Sequence, residues 1–323
     1  MKIMIDTLSK NRALFLILLN ILLLVGVVLQ KDPFHLFEKT YESSEKFYKA
    51  NLSEISKIIY KRKNEDSSKK KLELQNSSWN LIISTGNSYL ADEEKVSQLL
   101  KALLEARKYT IATSGKEKFS EYGLDSSDTF EVELFKGETS IGKMALGNAG
   151  GGGSFTHILW NDSEDIYIVE DSIKPLLGRG ADDYFINKRI TPISVNSSDI
   201  LSISFTSKTK NKNYILQKKE IKWFLGEKGT EVSSDKISGL LNKLSSLVAD
   251  GVVEPKDLPK LSEADSAEVQ FSYKDPVTFS PISITLKIMG KDASNFYYLQ
   301  KQQEQAIYKF QDYQLKTLFD SEF

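Results

Sequence analysis

A repeated order of secondary-structure signals constrains the fold of this chain more than any other feature. Two stretches about 141 residues apart contain the same succession of strand pair, tryptophan-containing strand, capped helix and alternating strands. Self-similarity at a fixed period indicates that one folding unit has been duplicated. The sequence therefore predicts two tandem repeats, covering residues 52–192 and 193–323.

The helix of each repeat shows the duplication most clearly. Apolar residues at helical spacing predict one packed helix per repeat, with Asp92 and Ser233 as the N-cap residues. The apolar positions are Val96, Leu99, Leu100, Leu103 and Leu104 in the first repeat, and Ile237, Leu240, Leu241 and Leu244 in the second.

Strands outnumber helices in both repeats, and short polar links join neighbouring strands. This pattern is typical of antiparallel meanders with a helix on one face, so the predicted fold class is α+β, with one mostly antiparallel sheet in each repeat. The matching strand-like segments are Trp79–Ile83 with Trp223–Leu225, Phe130–Phe135 with Ala267–Phe271, Ile141–Leu146 with Ile282–Ile288, and Ile166–Val169 with Ile307–Phe310. Short helical stretches are expected from Asp171 and Asp312.

Residues 13–29 form an apolar run of seventeen residues. As a helix this run would be about 26 Å long, close to the thickness of a bilayer core. Lys10 and Arg12 precede it, so residues 1–12 are expected in the cytoplasm and the body on the other side. The alternative, a cleaved signal peptide, lacks suitable small residues before a cleavage site. Residues 30–51 are expected to form a stalk, either helical or flexible.

Composition excludes several kinds of site. The net charge of −1 does not suggest nucleic-acid binding, and the absence of cysteine rules out disulfides and thiolate metal sites. His35 and His157 are the two histidines, so no histidine-rich metal cluster is expected, and His157 is interpreted as structural.

The glycine-rich run Gly147–Ser154 could bring backbone N–H groups close to a phosphate. It lacks the Gly-Lys-Ser/Thr ending of a phosphate-binding loop, and a strand pattern follows it. A mobile hairpin loop is the favoured interpretation, with ligand contact as the alternative.

The acidic pairs and the basic clusters each have a structural explanation. Asp182–Asp183 and Glu164–Asp165 are interpreted as solvated loop carboxylates rather than as the acid and base of a glycan hydrolase. The aromatic run Phe296–Tyr298 predicts core packing. Lysines on the first hairpin of each repeat are interpreted as protection of exposed sheet edges, with contact to an acidic partner or anionic lipid as the alternative. These basic residues are Lys61, Arg62, Lys63, Lys69, Lys70 and Lys71, and Lys208, Lys210, Lys212, Lys218 and Lys219.

The order of these elements resembles the bacterial family called domain of unknown function 4340 (DUF4340). The resemblance runs from about residue 52 to residue 320 and rests on the Trp79 strand, the capped helix, Glu121–Asp125, Leu146-Gly147 and Ile166–Val169. It implies a membrane-anchored extracytoplasmic protein associated with ABC-type transport systems similar to those of gliding motility. It supplies no catalytic residues that could be transferred to this chain.

We therefore expect a non-enzymatic accessory or interaction protein that crosses the cytoplasmic membrane once and has an extracytoplasmic body. Its expected partners are the lipid bilayer, through residues 13–29, and a membrane or envelope protein, with no nucleic acid. No catalytic, cofactor-binding or metal-binding residue is assigned, and no cofactor is expected. The alternatives are an envelope hydrolase acting on glycan or peptide, and a module that binds a small ligand or lipid between the repeats.

Overall fold

The body of the protein consists of two antiparallel sheets and a small number of helices. The computed structural model describes residues 16–23, 45–63, 69–108, 110–150, 155–161, 163–170, 172–226 and 229–323. The α-helices of the body are α1 (Glu93–Glu105), α2 (Ser234–Ser245) and α3 (Asp312–Asp320).

The first sheet has nine strands in the order β4-β3-β2-β1-β6-β7-β8-β9-β5. Neighbours pair antiparallel throughout, so β4 and β5 are the edge strands. Its strands are β1 (Lys57–Arg62), β2 (Lys70–Gln75), β3 (Ser78–Ile82), β4 (Ser88–Leu90), β5 (Thr110–Ser114), β6 (Phe130–Lys136), β7 (Thr139–Gly150), β8 (Phe155–Trp160) and β9 (Asp165–Val169).

The second sheet repeats this order strand for strand, as β13-β12-β11-β10-β15-β16-β17-β18-β14. The predicted α+β class with two antiparallel sheets is confirmed, whereas the boundaries at residues 52, 193 and 323 stay predictions. The strands are β10 (Ile200–Ser207), β11 (Lys212–Lys219), β12 (Lys222–Leu225), β13 (Thr230–Val232), β14 (Gly251–Val253), β15 (Ala267–Lys274), β16 (Pro281–Lys291), β17 (Phe296–Lys301) and β18 (Ile307–Gln311).

The helices begin where the sequence predicts. Asp92 is the N-cap of α1, and its carboxylate accepts a hydrogen bond from the Lys95 backbone N–H at 3.3 Å. Ser233 is the N-cap of α2. All the predicted apolar positions of both helices are buried, which anchors one amphipathic helix on each sheet. In the first half, the segment after β9 is a 3-10 helix, Lys174–Gly180, where the second half has α3.

The segment that connects the two sheets is hydrogen-bonded to strand β4 of the first half and to residues in and just after α2 of the second half. Its Asn187 N–H donates to the Leu90 carbonyl of the first half at 2.8 Å. Its Ile190 N–H donates to the Leu247 carbonyl of the second half at 3.0 Å, and the buried Thr191 hydroxyl donates to the Leu244 carbonyl at 2.6 Å. One hydrophobic core cluster accordingly includes residues from both halves.

The first core begins before the predicted end of the stalk at residue 51. Phe47 and Tyr48 are buried, and their rings lie 5.4 and 4.7 Å from the Trp160 ring. Residues 45–51 are not helical: the aromatic side chains pack on Trp160 of β8, and Lys46 forms a bridge with Arg107 in the connection between α1 and β5. Residues 30–44 of the predicted stalk lie outside the described residues.

Most of the predicted anchor lies outside the described residues as well. Residues 16–23 are helical with exposed side chains, and residues 1–15 and 24–29 are not described. Within the described part of the chain, no helix has both the length and the apolar character required to cross a membrane.

Candidate functional site

The two acidic pairs do not converge on a common point. Asp182 forms an ion pair with Lys70 at 2.9 Å, whereas Asp183 forms one with Lys188 at 2.6 Å. In the same way, Glu164 pairs with Lys116 at 3.4 Å, and Asp165 accepts a hydrogen bond from the Ser114 hydroxyl. Each of the four carboxylates thus has a different partner, a lysine for three of them and a serine hydroxyl for Asp165. In the described ranges, no group of three His, Asp or Glu side chains is arranged to hold a metal ion.

The glycine-rich run contributes to the β7–β8 hairpin, in which Gly150 pairs with Phe155. Its described part contacts His157, because one ring nitrogen of His157 lies 2.9 Å from the Asn148 carbonyl oxygen. The Tyr122 ring packs edge-on against His157 at 4.8 Å. Residues 151–154 lie outside the described part, so the mobility of the loop stays a prediction.

The interpretation of the lysine clusters as protection of sheet edges is wrong. Strand β1 pairs with both β2 and β6, and β10 pairs with both β11 and β15, so these hairpins lie inside the sheets. Lys70 is buried and donates to the Gly180 carbonyl at 2.8 Å, in addition to its ion pair with Asp182. Lys212 donates to the Phe319 carbonyl at 2.6 Å. Lys70 thus connects the first sheet to the segment that contains Gly180, and Lys212 connects the second sheet to α3.

The aromatic run on β17 packs in the core, as predicted. Tyr297 is buried and stacks on Phe319 of α3, with a distance of 5.3 Å between the ring centroids. Tyr298 is also buried, and its hydroxyl donates to the Asp292 carboxylate at 2.9 Å. Burial and the negative charge of Asp292 raise the pKa of Tyr298 to about 12, so the phenol stays protonated and can donate.

Three large apolar side chains stand exposed on turns at one end of the second sheet. Ile221 is 87% exposed, Val277 81% and Phe279 67%. We call these three residues the apolar tip. Exposed apolar side chains that lie close together can mark a surface that another molecule covers. The apolar tip is the candidate functional site of the body.

Hydrogen bonds hold the β15–β16 turn in one conformation. The Asp275 carboxylate accepts from the backbone N–H groups of Val277 at 2.8 Å and Thr278 at 2.6 Å, and these bonds hold the pKa of Asp275 below its usual value. The Phe279 N–H donates to the Asp275 carbonyl at 2.9 Å. Phe279 has a φ of 59°, a conformation that a bulky residue rarely adopts. The turn therefore maintains local strain while it exposes an aromatic ring.

Sheet register brings Ile221 to the same end as the other two residues of the tip. Gln217 pairs with Ser202 near the start of β10, and Tyr273 pairs with Ile200 on the opposite side of β10. The β11–β12 turn and the β15–β16 turn consequently extend beyond the same end of the sheet.

Exposed lysines surround the apolar tip. Lys219, Lys222 and Lys274 are exposed on the two turns or directly beside them. Lys274 Nζ lies 4.9 Å from the centre of the Phe279 ring, and Lys222 pairs with Glu231 at 2.9 Å. The site therefore combines exposed apolar side chains on two turns with lysines on or beside the same turns.

The apolar tip was not predicted from the sequence. Ile221 and Phe279 are isolated apolar residues next to strands, and such residues are expected to be buried unless the sheet register is known. One stretch of the sequence does indicate exposed apolar residues: Asp275-Pro276-Val277-Thr278-Phe279-Ser280-Pro281. It places two apolar residues between prolines and after a turn-forming aspartate, where no sheet face can cover them.

Comparison with known proteins identifies the family of this chain. No curated protein and no solved structure matches it. The family model described as "Domain of unknown function (DUF4340)" matches residues 79–266, a range that includes α1, most of the first sheet and the first strands of the second. That match covers more than half of the chain, and the chain belongs to the DUF4340 family.

Proposed function

We propose that this protein is a membrane-tethered accessory subunit whose extracytoplasmic body binds a membrane component of an ABC-type transport complex. The apolar run of residues 13–29, with Lys10 and Arg12 before it, supports a tether whose N-terminus is cytoplasmic. The observation that carries the binding function is the apolar tip. The transport complex is proposed by analogy with the family that the sequence resembles.

The geometry of the tip favours a specific protein partner. Because Asp275 fixes the turn before binding, Val277 and Phe279 lose little conformational freedom when they are covered. Aromatic side chains at the centre of an interface commonly provide much of the binding energy. We therefore propose that the partner presents an apolar recess that receives Phe279 and Val277.

A lipid surface suits the tip less well. Lys219, Lys222 and Lys274 are accompanied by the carboxylates of Glu220, Glu231 and Asp275, so the local charge is nearly balanced. Attachment to anionic lipid requires a net excess of basic residues. A turn held in one conformation also adds little to the free energy of binding at a bilayer surface. It adds more when the turn enters a protein recess of matching shape.

Site-specific photocrosslinking tests the proposed partner. The full chain, with the photoreactive amino acid p-benzoylphenylalanine at position 279, should form an adduct with a membrane-spanning transporter subunit in intact cells. The matched control places the same group at Leu74, an exposed apolar position on the first sheet. The variant Phe279→Asn should weaken binding roughly thirtyfold or more, since loss of a central aromatic anchor costs at least about 2 kcal/mol of binding free energy.

Phe279→Asn preserves the turn, because asparagine tolerates a positive φ better than phenylalanine does. Loss of the complex in this variant therefore reports on the exposed ring rather than on folding. Adducts from position 279 with lipid alone, or equal adducts from positions 279 and 74, would contradict the proposed protein interface.

A topology experiment tests the tether independently of the partner. Alkaline phosphatase fused after Phe323 should be active, and green fluorescent protein at the same position should be dark, because the body is proposed to lie outside the cytoplasm. Protein purified from membranes should still begin with Met1. A cytoplasmic C-terminus, or a mature chain that begins after residue 30, would overturn the proposed arrangement.

A further inference from the structure

The two sheets differ at one edge. Strand β4 of the first sheet and strand β13 of the second occupy the same edge position, and each leads directly into the helix of its half. The connecting segment covers the outer side of β4, where Ala91 forms an antiparallel bridge with Ile186. Within the described ranges, β13 pairs with β12 alone. The second sheet therefore presents a strand edge that is covered in the first sheet.

Two backbone hydrogen bonds hold the connecting segment on β4. The Asn187 N–H donates to the Leu90 carbonyl at 2.8 Å, and the Asp92 N–H donates to the Phe185 carbonyl at 2.7 Å. These two bonds flank the isolated bridge, as they do in an antiparallel ladder. The first half thus shows which backbone groups an added strand uses at this edge position.

Sheet register identifies the equivalent backbone groups on β13. In both halves, the residue before the helix N-cap lies opposite the tryptophan of the neighbouring strand. The pairs of equivalent residues are Ala91 and Val232, Leu90 and Glu231, and Asp92 and Ser233. The Glu231 carbonyl and the Ser233 N–H therefore face the open side of β13, and both residues are exposed.

A lysine follows each strand edge at the same place in the helix. Lys95 of α1 donates from Nζ to the Tyr184 carbonyl of the connecting segment at 2.9 Å, and its ammonium group lies 4.8 Å from the centre of the Tyr184 ring. Lys236 lies three residues after the N-cap of α2, as Lys95 does in α1. Lys236 is exposed, and in the described part of the chain its ammonium group has no hydrogen-bond or ion-pair partner. The second half thus repeats the lysine without the carbonyl and ring that it contacts in the first.

We propose that the edge of β13 binds an extended segment of a partner protein, antiparallel to β13, in the way that β4 binds the connecting segment. The bound segment donates to the Glu231 carbonyl, accepts from the Ser233 N–H and places a backbone carbonyl at Lys236. In strand addition, backbone hydrogen bonds give affinity and neighbouring side chains give specificity. Lys236 selects an aromatic residue at the position of Tyr184, because an ammonium group is attracted to the face of an aromatic ring. This site goes beyond the apolar tip and uses none of its residues.

A synthetic peptide with the sequence of residues 181–190 is the probe, because it contains the stretch that β4 binds. Fluorescence anisotropy of the labelled peptide with the full chain in a non-ionic detergent should give a Kd below about 1 mM. The β4 edge does not take up the peptide, since its own covering segment is covalently attached and has a high effective concentration. The control peptide carries an N-methyl group on the Asn187 amide. It should bind at least about tenfold more weakly, because it cannot donate to the Glu231 carbonyl.

Ser233→Pro is the decisive variant. Ser233 has a φ of −64° and a ψ of 145°, which proline adopts readily, and its side chain makes no capping hydrogen bond. Proline removes the N–H that faces the open edge, so peptide binding should weaken at least about tenfold while Tm stays unchanged. Ser233→Ala keeps the N–H and is the matched control, with unchanged binding expected. Lys236→Gln should weaken binding as well, and Lys101→Gln on α1 should not.

Failure of the peptide to bind would overturn the proposal, and so would binding that Ser233→Pro and Lys236→Gln leave unchanged. Light scattering of the protein alone tests another occupant of the edge. If the protein is a dimer that Ser233→Pro converts into a monomer, a second copy of this chain covers β13 and the proposed partner segment is wrong. Phe279→Asn should leave peptide binding unchanged, so a negative result at this edge and a negative result at the apolar tip are distinguishable.

Discussion

Replacing Gly290 with alanine should lower the free energy of unfolding by about 3 kcal/mol or more, enough to prevent folding if the protein is only marginally stable. Gly290 lies in β16 with a φ of 137°, a conformation essentially restricted to glycine. A Cβ atom at this position would overlap the carbonyl oxygen of Ser262. That carbonyl cannot move freely, because Ser262 is bridged to Lys291 by two backbone hydrogen bonds of 2.8 and 3.3 Å.

Gly239→Ala is the matched control for this prediction. Gly239 lies inside α2, and no atom is within 4 Å of the position that its Cβ would take. Alanine there should stabilise the protein by about 0.5–1 kcal/mol, because it favours the helix more than glycine does. Thermal and urea unfolding of the full chain in a non-ionic detergent would measure both changes. A loss below about 1 kcal/mol for Gly290→Ala would show that the Ser262 bridge yields easily.

Truncation of Phe205 should have a similarly large effect, with Phe205→Ala costing about 3–5 kcal/mol of unfolding free energy. Phe205 is fully buried on β10, a central strand of the second sheet. Its ring stacks on Tyr214 at 5.1 Å and meets Phe319 of α3 edge-on at 5.3 Å. Alanine would remove both contacts and leave a cavity between the sheet and α3.

The variant Phe205→Leu distinguishes the stability that comes from apolar side-chain volume from the stability that comes from contacts between aromatic rings. Leucine retains much of the apolar volume, so it should cost about 1–2 kcal/mol. The same unfolding measurements apply, with Phe279→Ala as an exposed phenylalanine whose loss should change stability by less than about 1 kcal/mol. If Phe205→Leu and Phe205→Ala lowered the free energy of unfolding equally, the side-chain volume at position 205 would not be the main source of its stabilising effect.

The elements that could be predicted from the sequence depend on local signals. Helix α1 is marked by its apolar spacing and by Asp92, and both act within a few residues. The strands of both halves follow alternation and turn residues in the same way. The duplicated order also predicted the matching sheets, because equal sequences of elements favour equal arrangements.

The position of a strand within its sheet could not be predicted, since pairing between distant segments decides it. Strand β1 pairs with β6, so Arg62 is opposite Phe130 across a long stretch of intervening chain. The lysines of the first hairpin were therefore assigned to an edge that belongs to β4 and β5. Lys70 instead lies under the segment that contains Gly180 and Asp182.

The candidate site depends on the same kind of long-range information. The apolar tip depends on the register that aligns Ile221 with the turn at Val277. The glycine-rich run is a local feature of the sequence, whereas the contact between its Gly147 carbonyl and Lys174 depends on the fold.

The doubly bonded connecting segment has a mechanical consequence. Because Asn187 is fixed to Leu90 on one side and Ile190 to Leu247 on the other, the joint between the sheets cannot swivel without breaking backbone hydrogen bonds. The connecting segment therefore couples the orientation of the first half to that of the second through its own backbone hydrogen bonds.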